Sequence, residues 1–131
     1  KVEDVREHEM HAEWYSVPEE TARAIRECTG RVISVGTTTA RCLESAAAAQ
    51  PAGAGFQAST GLTRLYVTPG YQFRVIDCLL TNFHMPKSSL LVLVSAFAGN
   101  ANIRAAYQDA LEHDYRFLSF GDAMFLERAK P

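Results

Sequence analysis

The first half of the chain alternates short apolar runs with stretches of helical character. Residues 12–17, AEWYSV, are aromatic and β-branched and predict a strand, and after Pro18 the sequence predicts a helix that ends at Gly30. Residues 31–35, RVISV, predict a second strand, and a sharp turn at Gly36 leads into a helix that runs to about residue 49. This order of strand, helix, strand and helix is typical of an α/β layered domain with a parallel pair of strands.

The second half begins with residues 50–61, whose glycine, alanine and proline content predicts a surface loop. Residues 88–99, SSLLVLVSAFAG, are apolar on every side and predict a buried helix that ends at Gly99. Residues 101–115 predict an amphipathic helix, because apolar side chains recur at helical spacing at Ile103, Ala106, Tyr107 and Ala110. Further strands are predicted at residues 62–67, at 72–80 and, on both sides of a Gly-Asp turn, within 116–126. The predicted fold class is therefore α/β, a layered sheet with helices packed on it.

Composition narrows the class of protein without defining a function. The chain has 131 residues, 47% hydrophobic and 21% charged, which is the size and balance of one soluble globular domain. A net charge of −2 gives no whole-chain basic field for nucleic acid, although it leaves room for a local basic patch. No apolar run reaches the roughly 18 residues of a membrane span. Three separated cysteines without a CxxC pair indicate reduced thiols and a cytoplasmic location.

The stretch VGTTTAR, residues 35–41, combines groups that bind anions. A glycine after a strand and three threonines at a helix start offer backbone N–H groups, hydroxyl donors and the positive end of the helix dipole. Thr37 and Thr38 are the candidate ligands, and Arg41 could add a bidentate contact about one turn later. A simple helix cap with spare hydroxyls is the alternative.

The stretch HEMHAE, residues 8–13, contains two histidines and a glutamate but does not have metal-ligand geometry. On a strand His11 and Glu13 share a face, whereas His8 points to the other side. The HExxH pattern is also absent. The spacing favours a polar pair, His11 and Glu13, facing a cleft, and it does not predict a metal site.

The stretch LLTNFHMPKSS, residues 79–89, interrupts an apolar run with polar side chains. Pro86 disfavours helix just before it, so Thr81, Asn82, His84 and Lys87 lie at a strand end or in a loop. Loops at the carboxyl ends of strands are where α/β sheets bind ligands. A serine cap with polar groups that satisfy the loop backbone is the alternative.

The stretch YRFLSFGDAM, residues 115–124, places Arg116 and Asp122 beside aromatic residues and a glycine. An aspartate next to apolar rings can have a raised pKa and act as an acid or a base. It can equally cap a turn, and the sequence does not separate the two.

Taken together, four long motifs resemble one family over nearly the whole chain, in the right order. They are HEMHAEWYSVPEETARAI, GRVISVGTTTARCLE, TPGYQFRVIDCLLTNFHMPKSSLLVLVSAFAG and YRFLSFGDAMFL. They look like the C-terminal part of the QueA family, the S-adenosylmethionine:tRNA ribosyltransferase-isomerases of queuosine biosynthesis. The resemblance implies an α/β domain with a small β-barrel domain attached, of which residues 1–131 would be the C-terminal portion of the α/β domain. The upstream region and the barrel would be absent from this chain.

The activity that the resemblance implies is a tRNA modification. The ribosyl group of S-adenosylmethionine would be transferred to 7-aminomethyl-7-deazaguanine at the tRNA wobble position and isomerised. The product would be epoxyqueuosine-tRNA, released with adenine and methionine. S-adenosylmethionine would be a co-substrate, and neither a cofactor nor a metal is implied.

This reaction needs a base, an acid and fixed contacts for the donor. His84 and Asp122 are the candidate catalytic groups, with Glu13 and His11 behind them. For the donor or another anion the candidates are Thr37, Thr38, Arg41, Thr81 and Asn82. Lys87 and Arg116 could contact tRNA phosphates, a local arrangement that the overall acidity permits.

Two other classes of function remain open. The chain could be a binding module that takes S-adenosylmethionine or tRNA without chemistry, or a structural domain whose polar stretches only satisfy its interior. A missing upstream region should also leave apolar surface open, and such patches drive association. We therefore expect the isolated chain to self-associate.

Overall fold

Five strands and four helices make up residues 12–130, the part of the chain that the computed structural model describes. In chain order they are β1 (Glu13–Val17), α1 (Glu19–Glu27), β2 (Ile33–Val35), α2 (Thr37–Ala48), β3 (Ser59–Thr63), β4 (Cys78–Asn82), α3 (Ser89–Ala98), α4 (Asn100–Glu112) and β5 (Ala123–Glu127). A short 3-10 turn at Leu118–Phe120 precedes β5. The mixture of helices and sheets confirms the predicted α/β class.

The strands form two separate sheets. β1 and β3 pair antiparallel, with Glu13 opposite Thr63. In the second sheet β4 lies in the centre, parallel to β2 and antiparallel to β5. The expectation of a parallel pair is confirmed, but its members are β2 and β4. The first two strands of the chain do not pair, because β1 pairs with β3 instead.

The three-stranded sheet buries one face against helices α2 and α3, which contact its strands. Side chains on that face are Ser34, Leu79, Thr81, Met124 and Leu126. On the opposite face several large apolar side chains are exposed, namely Ile33, Val35, Leu80 and Phe125. Within residues 12–130 the sheet is therefore apolar on both faces, and helices cover one of them.

Both predicted helices of the second half are confirmed. No residue of α3 is fully exposed, whereas α4 buries Ile103 and Ala110 and exposes most of its other side. Gly99, at φ +98°, separates the two helices as expected. Within residues 12–130 no single helix is long and apolar enough to cross a membrane, although α3 and α4, bent by 116°, pass that test as a pair.

Several predicted bounds were wrong. Helix α1 ends at Glu27, because Cys28 is already extended, and not at Gly30. The predicted strands at 62–67 and 72–80 shrink to residues 59–63 and 78–82, with irregular chain between them. The segment before Gly121 is a 3-10 turn rather than a strand, with a positive φ at Leu118.

Candidate functional site

The start of α2 lies beside the carboxyl end of β4. The N–H of Gly36 donates to the carbonyl of Leu80 at 2.8 Å, so the first residues of α2 and the last residues of β4 meet at one edge of the sheet. Gly36 adopts φ +92°, which a glycine accommodates without strain. Thr37 is buried, Thr38 is exposed, and no side chain caps the helix. The simple cap expected as an alternative is thus not formed.

The polar stretch at the end of β4 divides between the two faces of the sheet. Thr81 points into the core, where its Oγ1 is hydrogen-bonded to Nε2 of His84 at 3.0 Å. The backbone N–H of His84 donates to the hydroxyl of Tyr107 at 2.7 Å. Burial lowers the pKa of the imidazole, because desolvation disfavours its charged form. His84 is therefore neutral at physiological pH.

Asn82 lies on the exposed face of the three-stranded sheet, called the open face below, together with the turn that contains Asp122. The amide of Asn82 donates to the carbonyl of Asp122 at 3.4 Å. A carboxylate oxygen of Asp122 accepts the backbone N–H of Arg116 at 2.5 Å, so this aspartate does close a turn. The N–H of Leu118 donates to the carbonyl of Phe83 at 2.9 Å, which fixes the turn against the polar stretch. Asn82, Asp122 and Arg116 thus form one surface cluster.

Lys87 is exposed in the loop before α3 and has a φ of +60°. Ser88 caps the helix, since its hydroxyl accepts the N–H of Leu91 at 3.1 Å. The alternative of a serine cap is therefore correct for Ser88. It leaves the side chain of Lys87 pointing to solvent.

Arg41, on α2, and Glu13, on β1, form an ion pair. Nη1 of Arg41 lies 2.9 Å from a carboxylate oxygen of Glu13, and Nε donates to the carbonyl of Leu65 at 3.0 Å. Arg41 is only 4% exposed, so it does not project freely from the helix start as a bidentate ligand would. His8 and His11, the other polar candidates of this region, lie outside the described residues.

Sequence reasoning missed two groups that hold the site in place. Glu44, fully buried on α2, accepts the backbone N–H groups of Arg74, Val75 and Ile76 and the hydroxyl of Tyr71. These bonds keep residues 74–76 out of a strand and fix the approach to β4. A glutamate within an alanine-rich helix gave no local signal of this role. Tyr107 was placed on the apolar face of its helix, but its contact with His84 was not foreseen.

Among residues 12–130 no three histidine, cysteine, aspartate or glutamate side chains gather as metal ligands. The groups that do gather are hydroxyls, an amide, an imidazole and a carboxylate at the carboxyl edge of a small sheet. α/β domains bind sugar-containing and anionic ligands with this arrangement. The fold is that of an α/β domain, and its polar cluster lies at the edge where such domains bind ligands.

The chain belongs to the family whose model is described as "Queuosine biosynthesis protein", which matches residues 1–126. It is 58% identical over 135 residues to the S-adenosylmethionine:tRNA ribosyltransferase-isomerase of Polynucleobacter necessarius, an alignment covering 98% of this chain and 37% of that protein. The relative from Ralstonia nicotianae is 55% identical over 134 residues, covering 100% and 37%. The chain therefore spans little more than a third of the length of these curated relatives.

A solved structure of a ribosyltransferase also matches this chain. The crystal structure of S-adenosylmethionine tRNA ribosyltransferase from Thermotoga maritima matches with a TM-score of 0.78 at 45% sequence identity. The match covers 86% of this chain and 40% of that chain. The predicted resemblance is confirmed by sequence and by structure.

Proposed function

We propose that this chain forms part of the catalytic site of an S-adenosylmethionine:tRNA ribosyltransferase-isomerase. The observation that carries the proposal is the meeting of the start of α2, the end of β4 and the turn at Asp122, in a chain 58% identical to such an enzyme. The proposed reaction transfers the ribosyl group of S-adenosylmethionine to 7-aminomethyl-7-deazaguanine in tRNA and isomerises it. Epoxyqueuosine-tRNA, adenine and methionine are the products.

In this proposal His84 and Asp122 exchange protons with the substrate. A neutral imidazole can accept a proton, and burial keeps His84 in that neutral form. The half-buried carboxylate of Asp122 is fixed by the N–H of Arg116, so it keeps one orientation at the surface. Glu13 and His11 are secondary candidates for proton transfer. We do not divide the roles of acid and base among these residues.

The donor and the tRNA would approach from the open side of the edge. Asn82 is exposed there and can donate to ribose hydroxyls or base edges. Thr37 and Thr38 lie at the start of α2, where backbone N–H groups and hydroxyls would bind an anion. Lys87 and Arg116 are exposed cations on the two loops that border the edge, which suits contact with tRNA phosphates. S-adenosylmethionine serves as co-substrate, and a cytoplasmic location fits the three free thiols.

The test is a chimera in which this chain replaces the matching segment of the Polynucleobacter necessarius relative. Adenine release from S-adenosylmethionine is measured with tRNA carrying the 7-aminomethyl-7-deazaguanine base. We expect the chimera to release adenine and the 131-residue chain alone to release none. A folded but inactive chimera, beside an active parent, contradicts the proposal.

Matched histidine variants sharpen the test. His84→Gln in the chimera should lower the rate by about 10²–10⁴-fold, the usual contribution of a proton-transfer group. His113→Gln is the control, because His113 is exposed at the end of α4. Equal rates for the two variants would remove His84 from the chemistry.

A binding module is the second candidate, favoured by the fact that the chain spans about 37% of its relatives. It differs in outcome, since the chain alone would bind S-adenosylmethionine and the chimera would still release no adenine. Calorimetric titration of the chain separates the two.

A further inference from the structure

Arg41 has a buried guanidinium group with one nitrogen unused. Its Nε and Nη1 are occupied by the carbonyl of Leu65 and the carboxylate of Glu13. Its Nη2 is buried and has no hydrogen-bond partner among the described residues. A buried donor without a partner is costly, and such groups are rare in folded proteins unless a ligand or water completes them. Nη2 of Arg41 therefore lacks an acceptor among the described residues.

Glu13, the ion-pair partner of Arg41, is much more exposed than the arginine. Its side chain is 50% exposed, and only one of its oxygens is hydrogen-bonded within the described chain. The second oxygen is free to accept a bond from a cation or a donor. The buried Nη2 of Arg41 can thus donate one more hydrogen bond. The half-exposed carboxylate of Glu13 beside it can accept one more.

We infer that Arg41 and Glu13 together bind the α-amino-acid end of a ligand. The ligand carboxylate accepts from Nη2 of Arg41, and the ligand ammonium donates to the free oxygen of Glu13. This inference rests on the proposed function, because S-adenosylmethionine is the substrate there that carries such a group. It gives this end of the donor a defined position on the chain.

The opposite charges of Arg41 and Glu13 favour a zwitterionic ligand over a phosphate. A phosphate group near Nη2 would also lie near the carboxylate of Glu13, 2.9 Å from the same guanidinium, and like charges at such range repel. An amino acid offers a positive group to Glu13 and a negative one to Arg41, so both contacts are favourable. Charge-assisted hydrogen bonds of this kind are about twice as strong as neutral ones.

The position on α2 suits a ligand that also reaches the sheet edge. Long helical side chains lean toward the helix N-terminus, which favours a guanidinium of Arg41 directed toward the turn that begins at Thr37. Thr37 precedes Arg41 by four residues and shares its buried helix face. Nη2 of Arg41 has no solvent contact. The ligand carboxylate therefore reaches it when the half-exposed side chain of Glu13 turns outward to the ligand ammonium group.

The experiment compares two ligands that differ only at this end. S-adenosylhomocysteine carries the amino-acid group, 5′-methylthioadenosine lacks it, and both have a neutral sulfur. The dissociation constants of both are measured by calorimetry on the chimera, with variants Glu13→Gln and Arg41→Gln. Glu19→Gln is the control, because it removes the carboxylate of an exposed pair, Glu19 with Arg26 at 2.6 Å.

We expect the unmodified chimera to bind S-adenosylhomocysteine at least about tenfold tighter than 5′-methylthioadenosine. Glu13→Gln and Arg41→Gln should bring that ratio toward one, and Glu19→Gln should leave it unchanged. Circular dichroism checks folding, and Glu13→Gln provides the decisive variant if the buried Arg41→Gln does not fold. A ratio near one in the unmodified chimera, or no change in Glu13→Gln, overturns the inference.

Adenine release separates this inference from the proposed function. A chimera that consumes S-adenosylmethionine but shows no preference between the two ligands keeps the function and overturns the amino-acid site. A chimera that prefers S-adenosylhomocysteine through Glu13 and releases no adenine supports the site and overturns the function. Binding of neither ligand overturns the amino-acid site, and only the additional absence of adenine release overturns the function.

Discussion

The two faces of the three-stranded sheet carry similar side chains in different surroundings. Leu79 and Leu80 are neighbours on β4, yet Leu79 is fully buried and Leu80 is 38% exposed. Val35 and Phe125 flank Leu80 on the same open face, at the paired positions of β2 and β5. Sheets that are apolar on both faces are typical of α/β proteins in which both faces are covered. The open face is therefore an apolar surface that residues 12–130 leave exposed.

The same division separates the candidate site residues. Thr81 and His84 lie on the core side, bonded to each other, whereas Asn82 lies on the open side with Asp122. The open side offers exposed donors to a ligand. The core side supplies a neutral, fixed imidazole just behind the edge. In the proposed function, Asn82 and Asp122 would thus act from the open side and His84 from the core side of the same strand end.

Adjacent leucines on β4 give the largest expected difference between the faces. Leu79→Ala should lower the free energy of unfolding by about 2–5 kcal/mol, because it leaves a cavity among buried side chains. Leu80→Ala should cost about 1 kcal/mol or less, since its side chain is already partly hydrated. Urea denaturation followed by circular dichroism measures both.

Equal losses for the two leucine variants would mean that the open face is covered in solution. Dimerisation of the isolated chain is one way to cover it. Repeating the Leu80→Ala measurement over a range of protein concentrations would reveal that case, because association makes stability depend on concentration.

The sequence predicted the elements better than their connections. A continuous apolar run identified α3, and helical spacing of apolar residues identified α4. Gly36 correctly marked the turn before α2, and Gly99 the turn between α3 and α4, where each has a positive φ. Residues 72–77 looked like a strand from their composition, but the carboxylate of Glu44, about 30 residues away, takes three of their backbone N–H groups. Contacts between distant residues leave no local pattern, so propensity alone could not find them.

The candidate site was predicted as a set of residues, and its geometry was not. The polar stretch and the turn at Asp122 were singled out by their residue types, and they lie together in the fold. The division of Thr81 and Asn82 between two faces follows from strand alternation once the bounds of β4 are known. The burial of Arg41 had no sequence signal, because its partners Glu13 and Leu65 lie far along the chain.

The buried imidazole on the core side makes stability depend on pH. The folded state lowers the pKa of His84, whereas the unfolded chain has its ordinary value of about 6.5. As the pH falls through that value, the unfolded state takes up the proton first and stability decreases; above it the contribution is complete. The slope from this residue approaches about 1.4 kcal/mol per pH unit in the window between the two values.

Denaturation at about pH 7.5 and about pH 5.5 tests this, because the two values lie on either side of the ordinary pKa of histidine. His84→Gln should reduce the difference in unfolding free energy between the two conditions, since a glutamine does not titrate. His113→Gln serves as the matched variant, because the side chain of His113, the residue after α4, is exposed. The same pH dependence in the unmodified chain and in His84→Gln would contradict the assignment of the imidazole to the buried side.

The open face should have the smallest effect on stability and a clear effect on association. Phe125 is 51% exposed, so Phe125→Ser removes an apolar side chain from the surface and should change the free energy of unfolding by about 0.5 kcal/mol or less. Exposed apolar patches drive association, so the same change should shift the chain toward monomer in sedimentation velocity. Leu111→Ser is the control, because Leu111 is also exposed but lies on α4, away from this face. A monomeric unmodified chain, or equal effects of the two substitutions, would show that the open apolar face does not cause association.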